Sequence, residues 1–425
     1  MNYLNLNKEE AKKEKELLYA EFEKYKARSL KLDMSRGKPG KDQLDITMGM
    51  LDVIANDTDC KSENGFDCRN YGILDGIPEA KRLFSELLGI KESRILVAGN
   101  SSLNLMYDTV ARSMLYGVNG NTPWVKQGTV KFLCPAPGYD RHFAICESLG
   151  IEMIPVAMTP KGPDMDMVEK YVSSDPAIKG IWCVPKFSNP CGIVYSDVTV
   201  KRFASLKPAA KDFRIYWDNA YAVHDFDVDN PIKLLDIFEE AEKCGNLDII
   251  NYFASTSKIS FPGSGVAIMA SSEKNIAEAE KVMTVQTIGY DKINMMRHVK
   301  YFKNAHGILE HMKKHAQIIK PKFDIVLETL EKELAGTNIA NWNSPRGGYF
   351  ISLDVLNGCA KRVYELVSEL GVTLTKAGAT FPYGKDPFDR NIRIAPTFPP
   401  NDELKLASEI LCLCVKIAAV EKLYK

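Results

Sequence analysis

At 425 residues the chain exceeds one ordinary domain, so two domains, or one large and one smaller, are expected. Its 45% hydrophobic and 26% charged residues are those of a globular protein with ample core. Lys+Arg and Asp+Glu are both 55, and that balance lacks the electrostatic footprint of a nucleic-acid binder.

The 10 cysteines form no C-x-x-C pair, and most sit in apolar runs such as Trp182-Cys183-Val184. That pattern predicts buried free thiols in a reducing compartment, with neither a disulfide frame nor a zinc site. Met1 to Lys31 is dense in charge without the apolar core of a signal peptide, and Ile410 to Val420, interrupted by Lys416, is too short to span a membrane. A cytoplasmic location is the expectation.

Residues 8 to 29 read as a charged amphipathic helix with a solvated face. Ser35-Arg36-Gly37-Lys38-Pro39-Gly40 then makes a punctuated turn whose basic residues could face a ligand, without the spacing of a nucleotide P-loop. After Tyr71-Gly72-Ile-Leu-Asp-Gly76, a helix runs to Gly89. Strands and helices alternate from there. Predicted strands cover Arg94 to Ala98, Val130 to Leu133, Ile151 to Val156, Lys179 to Val184, Phe213 to Trp217, Leu247 to Ala254 and Val266 to Ala270. The fold class is α/β, a mostly parallel sheet covered by helices. Beyond about residue 290 the pattern changes to a long helical region ending near Leu334. A strand at Gly347 to Leu353, a helix at Cys359 to Leu370, Val372 to Thr375, a strand at Asn391 to Ile394 and a last helix capped near Asn401 make a smaller α+β domain. The predicted division is an N-terminal segment 1–48 joining the small domain, a large domain 49–290 and a small domain 291–425.

In a parallel sheet, ligands bind beyond the carboxyl ends of the strands. Ser101, Tyr139, Asn189, Asp218, Tyr221 and Lys258 all fall just past such ends. A lysine there, in Ser255-Thr-Ser257-Lys258, suits a Schiff base, because burial lowers an amine's pKa and leaves a neutral nucleophile. Taken alone, a lysine among serines is more often a solvated loop residue. Together the set meets the needs of pyridoxal phosphate. Asp218 is a carboxylate for the pyridine nitrogen, though alone it reads as a helix cap. Asn189 and Tyr221 are donors for the phenolate, and Tyr139 is a ring to stack. Ser101, Ser102, Ser255 and Ser257 are donors for phosphate, with the helix N-terminus after Ser101 adding its free N–H groups.

In the same order, Asn189 to Gly192, Asp218 to Tyr221, Ser255 to Lys258 and the late Arg393 resemble the class I aminotransferases, the pyridoxal-phosphate family that includes aspartate aminotransferase. Ser35 to Pro39, Tyr71 to Gly76, Gly99 to Ser102 and Ser255 to Ile259 resemble its MocR-like, or type Ic, bacterial subgroup. The resemblance implies an aminotransferase-like large domain and Lys258 as the aldimine lysine and proton shuttle. It implies Asp218 on the pyridine N–H, Asn189 and Tyr221 on the phenolate, and Arg393 on the substrate α-carboxylate. Tyr71 would reach the phosphate of a partner subunit in a homodimer with shared sites. The implied substrate-binding set is Gly37, Asn189 and Arg393, with Arg36 and Lys292, and by position Lys38 and Arg297, as candidates for a distal carboxylate.

One departure is that Ile259 to Ala267 holds none of the phosphate-binding arginines of many relatives. Ser255-x-x-Lys258 without Ser-Asp-Asn and Lys-Thr-Gly partners argues against a penicillin-binding nucleophile. His311 and His315, one turn apart without the acidic residue of H-E-x-x-H, read as a solvated helix face, so no metal is expected. An aminotransferase-like sensor would need a helix-turn-helix module, and the residues before Ser35 read as one charged helix. A C–S lyase or a transaminase for another amino acid stays open, since the same residues serve it. The leading expectation is ping-pong transamination between L-aspartate and 2-oxoglutarate.

Overall fold

The computed structural model describes residues 1–424. In chain order the strands are β1 (Leu32–Asp33), β2 (Ile95–Val97), β3 (Lys131–Ala136), β4 (Glu152–Thr159), β5 (Gly162–Pro163), β6 (Ile178–Cys183), β7 (Arg214–Asp218), β8 (Ile250–Ser255), β9 (Ala267–Ala270), β10 (Ala340–Trp342), β11 (Ile351–Val355), β12 (Val372–Thr373) and β13 (Asn391–Ile394). One sheet takes β2 to β9 in the order β2-β9-β8-β7-β6-β3-β4-β5. Its centre, β4-β3-β6-β7-β8, is parallel throughout. The link from Thr256 to Val266 is shorter than the roughly dozen residues of a parallel crossover, so β9 returns antiparallel to β8. β2 is antiparallel to β9 in turn, and therefore points the same way as β8. Ser101 thus leaves the sheet at the same edge as Lys258.

The central strands β6 and β7 are buried at every position, the pattern of a sheet covered on both faces. Alternation sorts their side chains into two cores. Leu133, Ile181, Ile215 and Trp217 face one layer of helices, and Phe132, Trp182, Tyr216 and Phe253 face the other. A third core joins Tyr3, Phe22, Leu32 and Met34 to Phe323, Leu353, Ile394 and the C-terminal helix Asn401–Leu423. It contains the antiparallel sheet β10-β11-β13 and the parallel pair β1-β12. Val184, Phe187 and Tyr221, from the carboxyl end of the large sheet, also enter this core. The cleft between the two bodies therefore opens at the strand ends.

Local signals place the helices. Asn7 and Glu10 form a reciprocal capping box for the helix Lys8–Lys26, and Pro78 opens the helix that Gly89 ends at φ 73°. Three boundaries differ from expectation. Leu247–Ile249 is a 3-10 turn ahead of β8. Gly347 and Gly348 lie outside β11, pressed against Phe187 where a Cβ would meet side-chain carbons at 2.4 and 2.7 Å. Asn401 is the first helical residue after Pro400, and caps nothing. The cysteines are buried except for the half-buried Cys191 and the exposed Cys244. Among the described residues no helix is long and apolar enough to cross a membrane.

Candidate active site

Strand ends supply the charged centre of the cleft. Asp218 is the last residue of β7 and is 3% exposed. Its Oδ2 accepts from His142 Nε2 at 3.1 Å, while its Oδ1 is buried with no partner. The carboxylate can only accept, so the proton of His142 sits on Nε2. The imidazole lies flat on Trp182, ring centroids 4.4 Å apart and 11° between planes, which fixes its direction. His142 is one helical turn past Tyr139, whose ring meets it edge-on at 4.9 Å.

Lys258 follows β8 by one turn and is half-buried. Its Nζ lies 4.9 Å over the ring of Tyr221 and 5.8 Å from that of Tyr349, with no ion pair among the described residues. Burial pushes the amine pKa down, and the charge of Asp218 opposes this without reversing it. Tyr221 is buried, and its phenol is pushed well up by that burial.

The serine donors converge. Ser255 Oγ donates to Ser257 Oγ at 3.1 Å, and Ser257 Oγ donates to the carbonyl of Asn100 at 3.2 Å. The Asn100 amide in turn reaches the carbonyl of Gly263 at 3.1 Å. Ser102 opens the helix Ser102–Tyr116, and the Ser101 side chain at its cap makes no capping bond. Free N–H groups therefore meet the Ser101 side chain and the bonded Ser255–Ser257 pair at one helix N-terminus. Arg297 comes near from another helix, donating to Ser264 Oγ at 2.9 Å.

Arg393, on β13, is 8% exposed and already engaged. Nη1 pairs with Asp140 Oδ1 at 2.8 Å and donates to Asn189 Oδ1 at 3.2 Å. Nε and Nη2 donate to Thr375 Oγ1 at 3.3 and 3.1 Å, and that hydroxyl donates to the Ser35 carbonyl at 2.9 Å. Gly37 sits beside Phe350, where a Cβ would come within 2.2 Å of the ring, so only glycine fits.

Three predicted residues stand apart. Tyr71 is 77% exposed, on a loop lining a surface cleft with Lys292. Lys292 is buried there and donates to the Tyr290 carbonyl at 3.3 Å. The side chain of Arg36 is exposed and makes no hydrogen bond or ion pair among the described residues.

The expectation of a solvated His311 and His315 is overturned: they are 4% and 0% exposed. They form part of a polar cradle behind the Lys258 turn. His311 Nε2 lies 3.0 Å from the Ile259 carbonyl and 3.1 Å from His315 Nε2. Gln43 Nε2 reaches His315 Nδ1 at 3.0 Å and Tyr349 Oη at 2.9 Å, and Tyr349 Oη is 3.5 Å from the Lys258 carbonyl. His224 Nε2 lies 3.4 Å from that same carbonyl. His298 Nε2 contacts Ser260 Oγ at 2.8 Å and Thr256 Oγ1 at 3.1 Å. Burial lowers the pKa of His298 and His311 to about 4 and of His315 to about 3, so all three are neutral at pH 7. Sequence reasoning missed this cradle and missed His142. Signals were present: His311 and His315 fall in the i, i+3, i+4 series of Ile308, Met312 and Ile319, and His142 is three residues past Tyr139.

The chain matches the family described as aspartate amino-transferase over residues 6–425. It is 44% identical over 401 residues to an aspartate aminotransferase of Corynebacterium glutamicum, covering 94% of this chain and 92% of that one. The crystal structure of an aspartate transaminase from C. glutamicum superposes with a TM-score of 0.96 at 42% identity, covering 100% and 99% of the two chains. A Thermus thermophilus α-aminoadipate aminotransferase, solved with N-(5′-phosphopyridoxyl)-L-leucine, shares the fold at a TM-score of 0.74 and 18% identity, covering 92% of each chain.

Proposed function

The chain belongs to the aspartate aminotransferase family, and on that premise we propose that it moves the amino group of L-aspartate to 2-oxoglutarate with pyridoxal 5′-phosphate as cofactor. The observation that carries the cofactor is the Asp218 Oδ1 atom, buried without a partner at the mouth of the cleft that holds an unpaired Lys258. A buried carboxylate oxygen lacking a donor is costly, and a pyridine N–H supplies one. Bound pyridoxal phosphate supplies a carbonyl that takes up an amine and a ring that draws electrons from the adjoining carbon.

The chain's own residues do the rest. Asp218, oriented by His142, holds the ring nitrogen protonated. Asn189 and Tyr221 face the phenolic oxygen, and Tyr139 covers the ring. Ser101, Ser102, Ser255 and Ser257 take the phosphate, with Arg297 as the nearby cation. Lys258 Nζ, its pKa lowered by burial, would be the nucleophile for the carbonyl; once released, it would take a proton from the substrate Cα and pass it to the carbon that had carried the cofactor's carbonyl. Arg393 takes the substrate α-carboxylate in place of Asp140, a fork geometry that lysine cannot offer. Gly37 and Asn189 complete that end, and Arg36 or Lys292, which stand apart within one subunit, would meet the distal carboxylate only across a subunit interface.

The domain division 1–48, 49–290 and 291–425, assignment to the type Ic subgroup and a cytoplasmic location belong to the same reading. A homodimer is supported by the exposed Tyr71, Val285 and Ile288, at 77%, 84% and 64%. Tyr71, on the cleft it shares with Gly289 and Lys292, would serve the partner's phosphate.

The deciding experiment is a near-visible absorption spectrum of purified protein before and after L-aspartate alone. The reading expects a cofactor band that converts while oxaloacetate is released. A band that answers only to another amino acid overturns aspartate; no band, even after adding pyridoxal phosphate, overturns the cofactor.

A further inference from the structure

Asp218 closes β7; Arg214 opens it, at the opposite edge of the sheet. There the structure holds a second cavity of about 210 Å³, between the helices Ser102–Tyr116 and Glu273–Gln286. Arg112, Ser113, Arg214, Asn251, Asn275 and Glu278 are on its lining.

Two guanidiniums meet this space without a direct ion pair, although Glu278 shares the lining and its charge reaches Arg214. Arg214 is 2% exposed, and its Nη1 donates to the Phe213 carbonyl at 2.8 Å. With the Asn119 amide turned to satisfy its neighbours, Nη2 donates to it at 2.7 Å. Arg112 Nη2 donates to Thr109 Oγ1 at 3.0 Å and touches Met269 Sδ at 3.8 Å, leaving Nε and Nη1 without partners among the described residues. Neither arginine forms an ion pair within 4.0 Å among those residues. Glu278, on the lining, instead accepts from the Asn119 backbone at 2.9 Å. Asp108, one turn before Arg112, accepts from Gln286 at 3.0 Å.

A separate observation points the same way. Tyr216 follows Arg214 by two residues on β7, hence on the same face of the sheet, and its buried hydroxyl has no partner within 3.5 Å, with the Ser113 hydroxyl the near group that interacts with it. The charges of Arg214 and Arg112 both reach that hydroxyl. A buried guanidinium without a direct ion pair is costly, and two of them line this one space.

We propose that this cavity binds a small oxyanion, a carboxylate or phosphate group, between Arg112 and Arg214. Guanidinium forks match both groups. The volume admits a small metabolite and excludes a nucleotide. The site stands apart from the Lys258 cleft and does not depend on the function proposed for it.

Isothermal titration tests this on the full-length protein saturated with pyridoxal phosphate, using inorganic phosphate in one arm and acetate in the other. At least one should bind the wild type, and Arg112→Gln should weaken that binding about tenfold, as expected for loss of a charge-assisted contact. The arm that responds tells phosphate from carboxylate. Arg214→Gln should act alike; if it fails to fold, the half-buried Arg112 variant carries the test. Identical isotherms for wild type and Arg112→Gln, or no binding at tens of millimolar, overturn the proposal. So does a wild type that binds neither anion while Arg112→Gln splits an oligomer in sedimentation velocity, since the missing anion is then a carboxylate of a second copy.

Discussion

The turn that carries Lys258 has two sides built in opposite ways. Its open side meets Asp218, Asn189, Tyr221 and the serines, each within a few residues of a strand end; there, among the described residues, Asp218 Oδ1 lacks a partner, Lys258 has no ion pair and the Ser101 side chain makes no capping bond. Its closed side meets Gln43, His298, His311, His315 and Tyr349, drawn from distant segments and held by hydrogen bonds, with His224 beside them bonded through Nε2 alone. Unsatisfied groups mark where a ligand is awaited, and satisfied ones mark where the backbone must not move. Reactivity and rigidity are thus divided across one turn of chain.

Substitutions on the open side should cost activity far more than stability. Lys258→Ala should lower transamination by about 10⁴-fold or more while cofactor still binds, because nucleophile and proton carrier are lost together. Turnover within tenfold of wild type in steady-state assays would dissolve the distinction. Asp218→Ala should lower kcat by about 10²- to 10³-fold and weaken cofactor retention on dialysis.

Changes on the closed side should do the reverse. Gln43→Leu strips the donor from both His315 Nδ1 and Tyr349 Oη in a fully buried setting, a loss of about 1–3 kcal/mol in urea unfolding. Its kcat should fall less than that of Asp218→Ala, and an unchanged unfolding midpoint would show that the cradle does not hold the turn. The same histidines set an acid limit. Unfolded histidine takes up a proton near pH 6.5, whereas His298 and His311 resist until about pH 4 when folded. The unfolded state therefore binds more protons between those values, and stability should fall as pH drops from 6.5 to 4, by about 3 kcal/mol for each of the two residues. Flat unfolding free energy across that window contradicts the buried, neutral assignment. The smallest effect lies at the seam between the sides. Asp140→Asn frees Arg393 and should lower KM by less than about fivefold with kcat nearly unchanged, the scale of a half-exposed ion pair.

The open side was legible in the chain because it is local. Apolar runs of strand length give β3, β6, β7 and β8, and the residues just past them must lie along one edge of a parallel sheet. Lys258, Asp218, Asn189, Tyr139 and Ser101 were found by that rule without knowing any contact. Helix caps such as Asn7 with Glu10 are equally local and equally readable. His311 and His315 show where the rule ends: their spacing fits a buried stripe or a solvated one, and polarity favoured the wrong choice.

What the sequence by itself determined is the order of the elements, the direction of the central strands and the polar and charged groups at their ends. Each of these depends on residues within one strand or one turn of each other. Tertiary structure alone decided that Gln43 meets His315 across 272 residues, that Asp140 holds Arg393, and that Tyr71 is left in the open. A buried polar group must find a partner, but which partner depends on the packing of elements far apart in the chain, and no local periodicity encodes that choice.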